Sequence, residues 1–320
     1  MVILLSLLLV AIIGPILIPE VNISSSKLEP FHPPGQGENK YYSFGTDQIG
    51  RDVLTGVIVG TKWALIIGFI SVLVSAFIGI LLGVLSGYFG DKELRIGLLP
   101  FILYVLMLVL VSFYMFHLQL PIFIKLTLFI LFFLLSFFLL RSFSKSGSFL
   151  ICFPADFFVS RLIEVWRAVP ALFILLAILS MIKLPSLFSI GAIIGILNWT
   201  RVARLLRAEI LKIRNLEYIQ AAEGLAFSHV RIIWYHILPN TIRPLLIVFA
   251  FSFASAVILE ASISFLGIGS SSDIMTWGNM LKEARLNYRA WWLAVFPGAG
   301  ICLLVLSLNL IADSLEKDMN

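Results

Sequence analysis

The sequence predicts an all-α integral membrane protein, and three observations carry that expectation. Of the 320 residues, 60% are hydrophobic and 13% charged, about half the charge of a soluble domain. Apolar stretches of about twenty residues, the length that crosses a bilayer, recur along the chain. Polar stretches between them hold most of the charge, and the mean hydropathy is +1.03. A net charge of +5 gathered into a few loops reads as membrane orientation, not nucleic-acid binding. Cys152 and Cys302 lie in or beside apolar runs without paired spacing, so neither a disulfide framework nor a thiolate metal site is suggested. His32, His117, His229 and His236 lack the HExxH spacing. No GxxxxGK[ST] loop occurs, so no cofactor is expected and any ATP used is hydrolysed by another chain.

Residues 1–19 form an apolar run of about one crossing. Without a basic n-region or a small-residue cleavage site, they read as a retained first helix. Residues 20–62, rich in Pro, Gly and Ser, read as an external loop. Within it Thr46 or Asp47 can cap a short helix, with Asp52 close behind. Residues 63–95 hold the second helix, over Trp63–Tyr88, and the start of a cytoplasmic loop. There Ser71, Ser75, Gly79, Gly83 and Gly87 recur every four residues. That puts five small residues on one face for close packing, within the subunit or against another. Residues 96–141 are long enough for a membrane hairpin of two spans, Ile96–His117 and Pro121–Leu140.

Residues 142–320 hold the remaining spans. A charged connector runs to Arg167. Val169–Ile182 is a short span with Pro170 at its start, and Leu187–Leu206 is the next. The latter ends in Arg201, Arg204 and Arg207, a stripe that reads as interfacial anchoring. Pro244–Leu266 spans again and holds Glu260, about 24 Å along the helix from Pro244. An intramembrane carboxylate is a functional candidate, and a structural hydrogen-bonding role competes with that reading. Gly267–Arg289 is polar. Trp291 and Trp292 sit where an aromatic belt belongs, and Leu293–Ile311 is the last of eight spans. Placing the larger share of basic residues inside, fourteen of 23, puts both termini in the cytoplasm.

The same rule puts the polar stretch 213–243 in the cytoplasm. Asn215 is an N-cap candidate, and Leu216–Glu223 makes two helical turns that Gly224 ends. Ser228 caps a second helix with Val230, Ile233, Trp234 and Ile237 on one face. Pro239 and Asn240 are expected to stop it. Two short helices folded together between spans are either a packed connector or a surface offered to a partner.

Three stretches together resemble one family, the permease subunits of ABC importers of the dipeptide, oligopeptide and nickel group. FGTDQIGRDVLTGVIVGTKWALIIGF, from Phe44, is similar to the segment ahead of that group's second helix. EYIQAAEGLAFSHVRIIWYHILPN, from Glu217, resembles its EAA loop. ILEASISFLGIG (from Ile258), TWGNML (from Thr276) and WWLAVFPG (from Trp291) complete the likeness. The resemblance implies a six-span core in which 96–141 is an inserted pair packed at the periphery. In the family, the segment resembling GYFG (from Gly87) is followed almost directly by one resembling DFFVSRLIEVWRAVP (from Asp156).

The resemblance also implies a role for the loop 213–243, docking on ATPases through Glu217, Gln220, Ala221, Ala222, Gly224, Ala226, His236, Leu238 and Pro239. The implied partners are a second homologous permease, two cytoplasmic ABC ATPases and an external substrate-binding protein, in a bacterial cytoplasmic membrane. Asp47, Arg51, Asp52 and Asp273 are the expected contacts for the binding protein. The implied cargo is a di- or oligopeptide, with nickel or another small solute as the alternative, and the chain itself performs no catalysis. Two residues depart from the pattern. Gln220 stands first in the E-A-A triplet, and Ala226 stands where glycine is expected. Alanine does not cheaply adopt positive φ, so the bend between the two helices is expected to differ in place or angle. A secondary transporter or channel, the competing class, would place several ionisable groups along a path, whereas only Glu260 lies well inside a span.

Overall fold

The computed structural model describes Val10, Gly14 and residues 30–35, 43–91, 95–97, 150–182, 185–269 and 274–317. The first span over 1–19 apart from Val10 and Gly14, the hairpin beyond Gly97, and Asp273 lie outside the described residues. The chain divides into two compact units, Met1–Tyr88 with Leu162–Asn320, and Phe89–Arg161.

In the larger unit, α1 (Val53–Val84) continues into one wide π-helical turn, Leu85–Phe89. The expected short helix capped by Thr46 or Asp47 is absent. Asp52 caps α1 itself, its carboxylate accepting from the Leu54 and Thr55 amides. Asp47 instead folds a turn, accepting from the Ile49 and Arg51 amides. Gly50, at φ +79°, supplies the left-handed step that turn requires. With its cap at Asp52, the helix starts ten residues ahead of Trp63, where the apolar run begins.

After the α1 turn come α3 (Ala171–Ser180), α4 (Leu187–Arg214), α5 (Glu217–Gly224) and α6 (His229–Ile232). A second π turn, Ile233–Ile237, joins α6 to α7 (Leu238–Phe265), and α8 (Trp277–Leu286) and α9 (Trp292–Lys317) follow. Ser186 caps α4 by accepting from the Ser189 amide. The expected charged connector to Arg167 is partly helical, because Ala155–Ala168 forms α2. Ala155, Val159 and Ile163 recur every fourth residue there and are buried. The α2 and α3 axes meet at 78°, since Pro170 lacks an amide hydrogen and disfavours helix at Val169. The expected span Val169–Ile182 is therefore not a full crossing. Ten residues of α3 rise about 15 Å, half of the roughly 30 Å hydrocarbon core.

The small-residue stripe meets α4 of the same chain. A β-carbon at Gly79 would stand 2.5 Å from Val202 Cβ and 2.9 Å from the Trp199 carbonyl oxygen. Gly83 lies against Ala203 and Leu206, Gly87 against Arg207 and Ile210, and Gly195 of α4 against Ser71 and Val74. The partner numbers rise together, so α1 and α4 run parallel at backbone contact. Such proximity is open only to side chains this small. Ile67, Leu175, Leu187, Ile190 and Ile194 extend this seam into a fully buried core. A second cluster gathers Ala64, Ala254, Val257, Trp277 and Leu304. Trp277 fits between glycines of α1 and α9, Gly60 and Gly300, and donates its indole N–H to the Val57 carbonyl.

Among the described residues, three helical stretches are long and apolar enough to cross a membrane: Val53–Phe89, His229–Phe265 and Trp292–Lys317. The bent pair α2 and α3 makes a fourth if counted as one. The expected span Leu187–Leu206 is not among them. The 28-residue α4 carries Asn198 and Thr200 buried and exposes Arg201 and Arg204.

In the smaller unit, Arg95–Gly97 (β1) and Leu150–Cys152 (β2) pair antiparallel, Arg95 opposite Cys152 and Gly97 opposite Leu150. Among the described residues the fold is otherwise helical, and the ladder takes up Ile96, where the hairpin span was expected to begin. The Asp91 carboxylate accepts from the Phe157 amide in the first turn of α2.

Candidate functional site

The expected partner surface is a braced knob. Asn215 does not start α5. It ends α4, and Leu216 is the N-cap of α5. The Gln220 side-chain amide reaches back to the Asn215 carbonyl at 3.5 Å, so this residue helps cap α4. The end of α5 overturns the expectation for Ala226, which takes φ +55°. The Phe227 amide donates to the Ala222 carbonyl and the Ala226 amide to the Glu223 carbonyl, the two bonds of a Schellman turn. The bend therefore uses position 226 with an alanine, although left-handed backbone costs an L-residue about 1–2 kcal/mol. Gly224 is not among the glycines of positive φ, and a β-carbon there would meet nothing within 4 Å.

Ser228 caps α6 as expected, accepting from the Arg231 amide. The helix does not stop at Pro239 and Asn240 but runs unbroken from His229 to Phe265. The π turn just before Leu238 widens the spiral where the proline ring must fit. Asn240 also donates its side-chain amide to the His236 carbonyl at 2.6 Å. The wider turn shifts the helical phase and splits the expected apolar stripe. Ile233 and Ile237 are buried, while Val230 is 66% and Trp234 65% exposed.

Two ties lock α5 onto this long helix. Asn240 donates to the Tyr218 hydroxyl at 3.2 Å, and Phe227 stacks on His236 with centroids 6.5 Å apart. Ile219 and Ala222 face inward and are buried. Glu217, Gln220, Ala221, Gly224, Ala226 and Pro239 are exposed, and His236 and Leu238 are half-buried. Of the nine expected docking residues only Ala222 is turned inside. Beside them Ser228, Val230, Arg231, Trp234, Tyr235 and His236 line an open groove.

The second expected contact region is built the opposite way. Asp47 is 1% and Arg51 9% exposed. The Arg51 guanidinium pairs with the Asp47 carboxylate and, at 3.4 Å, with Glu283 of α8. The Gln48 amide donates to the other Glu283 oxygen. Burial, and then the neighbouring Asp47 charge, push the Glu283 carboxyl above its ordinary range. Trp292 is buried instead of standing in an aromatic belt, and donates its indole N–H to the Thr46 carbonyl at 3.0 Å. Trp291 remains exposed. Asp47 and Arg51 therefore pin the strap 43–52 to α8. The exposed tip is Gln48 and Ile49.

Glu260 is 2% exposed and accepts from the Ser264 hydroxyl at 2.9 Å. The Thr276 hydroxyl also bonds to it, and Thr276 caps α8. The carboxylate therefore joins the end of α7 to the start of α8.

Residues 149–320 match the family described as the binding-protein-dependent transport system inner membrane component. The chain is 27% identical, over 100% of its length and 84% of the relative's, to the dipeptide transport system permease protein of Alkalihalophilus pseudofirmus. It is 27% identical to the di/tripeptide transport system permease protein of Pseudomonas aeruginosa, over 89% of this chain and 74% of the relative. It is 26% identical to the dipeptide transport system permease protein of Bacillus subtilis, over 99% and 79%.

Proposed function

The chain belongs to the family of binding-protein-dependent transport system inner membrane components, and from that premise we propose that it is the membrane-spanning permease subunit of an ATP-driven importer of di- or oligopeptides. The carrying observation is the exposed knob α5, joined to α4 by two residues and to α6 by a Schellman turn. A rigid projection between two long helices is suited to receive force. Closure of two cytoplasmic ATPases displaces α5, and α4 and α7 swing with it as levers. The path between the helices then opens to one side of the membrane at a time. ATP is hydrolysed by the partner chains, and cargo selection rests largely with an external binding protein. The names of the peptide-transport relatives support the cargo class.

In this reading the knob faces the cytoplasm, both termini lie there, and a second, related permease completes the pathway. The parallel course of α1 and α4 supports the orientation, because both helices then run inward from the external face. The binding protein meets the strap at Gln48 and Ile49, the tip that Asp47, Arg51 and Asp52 shape. The insertion in the six-span core, expected over 96–141, is redrawn to the residues between Gly97 and Leu150, a reading supported by their pairing. The count reaches eight spans if the bent pair α2 and α3 is one crossing and α4 another.

The test is assembly with the partner subunits. The tagged chain retains its ATPases on purification, and Glu217→Lys or Ala221→Asp lowers that retention about tenfold or more while the unfolding temperature holds. Unchanged ATPase retention and stimulation in both variants would sink the docking assignment. Reconstituted vesicles should take up labelled dipeptide only with ATP and the binding protein. Uptake of nickel but not peptide would move the cargo to the metal.

A further inference from the structure

We infer that Tyr88 is a positioning residue that ties both ends of the α5 knob to α1, making α1 the element that links the docking surface to the strap. This rests on the importer reading above and names a further part of its machinery.

Tyr88 lies in the π turn that ends α1 and is fully buried. Two residues grip it. Arg214, the last residue of α4, donates from Nη1 to the Tyr88 carbonyl at 2.9 Å and lies over its ring, 5.7 Å from the centroid. His229, the first residue of α6, has Nδ1 2.9 Å from the Tyr88 hydroxyl oxygen, and its ring meets the tyrosine edge-on at 5.6 Å. Two residues separate Arg214 from α5, and a four-residue turn separates α5 from His229. Both roots of the knob thus hold one residue of a helix remote in sequence.

The other end of α1 is also tied. Asp52 caps it directly behind the strap, which Arg51 fastens to α8 and Trp292 of α9 fastens through the Thr46 carbonyl. Between the two ends α1 runs about 55 Å, held at backbone contact with α4 through Gly79, Gly83 and Gly87. A tightly packed rod with both ends tied shifts as a body instead of bending locally. Displacement of α5 then moves the strap, and docking at the strap biases α5.

The complete transporter in lipid nanodiscs, with its ATPases and binding protein, provides the test. Tyr88→Phe keeps the ring and removes the hydroxyl, and His229→Leu removes its partner. Each is expected to reduce stimulation of ATP hydrolysis by the loaded binding protein about three- to tenfold, with ATPase retention, basal hydrolysis and unfolding temperature unchanged. The double variant should lose no more than either single one, because one link is broken. Arg214→Gln, which loosens the second grip, should show the same selective loss. Normal stimulation in both single variants, or losses that multiply in the double, would overturn the inference. A wild-type complex that retains no ATPase would overturn the importer reading instead.

Discussion

The knob around α5 and the strap around Asp47 hold opposite ends of α1 by opposite chemistry. At the knob the outward positions are open and mostly uncharged, with Leu225, Val230, Trp234 and Tyr235 at least 65% exposed. Hydrogen bonds and aromatic stacking below them fix the shape. At the strap the charges lie inside, with Arg51 shared between the Asp47 and Glu283 carboxylates against α8. The contrast separates two kinds of functional candidate. Exposed groups on a braced element can meet a partner, whereas buried ion pairs set the position of whatever meets one. Substitutions should accordingly divide into losses of association at the knob and losses of stability at the strap.

The largest stability effect is expected at the strap. Arg51→Ala leaves the Asp47 carboxylate buried without its cation, at a cost of about 3–5 kcal/mol. Thermal unfolding in detergent measures this, and a loss no greater than that of Glu217→Lys would erase the distinction between the regions. Next is the shaft that joins them. Gly79→Val forces side-chain atoms into the Val202 and Trp199 contact and should cost about 1–3 kcal/mol or more, read by the same unfolding assay. At the knob the sign reverses. Ala226→Gly relieves the left-handed alanine by about 1 kcal/mol. Gly224→Ala, with open space around the new methyl, adds about 0.5–1 kcal/mol of helix preference. Both should raise the unfolding temperature.

The smallest effect is one of pH. The raised Glu283 carboxyl holds its proton more tightly in the folded chain than in the unfolded one. Its stabilising share is complete below the ordinary carboxylate range and falls as pH rises through the raised value. Lys282, Arg51 and the Gln48 amide oppose the shift, so the slope is shallow. Glu283→Gln should flatten it, as unfolding temperatures across acidic to neutral pH would reveal.

Much of the scaffold was legible because it rests on composition and period. The four-residue spacing of Ser71 to Gly87 identified a close-packing face, and Ser228 marked the start of α6. The α5 knob was legible as a short helix of exposed residues. Its fine structure was not. A period of 3.6 residues cannot anticipate a π turn, so Ile233 and Val230 separated and Pro239 failed to end the helix. A preference for glycine is a statement of cost, and the two turn hydrogen bonds beneath Ala226 outweigh that cost. Asp47 and Arg51, read as external contacts, turn inward where Arg51 meets Glu283, a partner over two hundred residues away that local sequence does not reveal. Tyr88 carried no local signal, since its partners at 214 and 229 come together only in the fold.

One pairing opens a practical route. Gly97 and Leu150 face each other across a strand ladder, so a two-residue turn could join them as an ordinary β-hairpin. The seam is therefore a place to shorten the chain or to seat a reporter domain, with both ends already side by side.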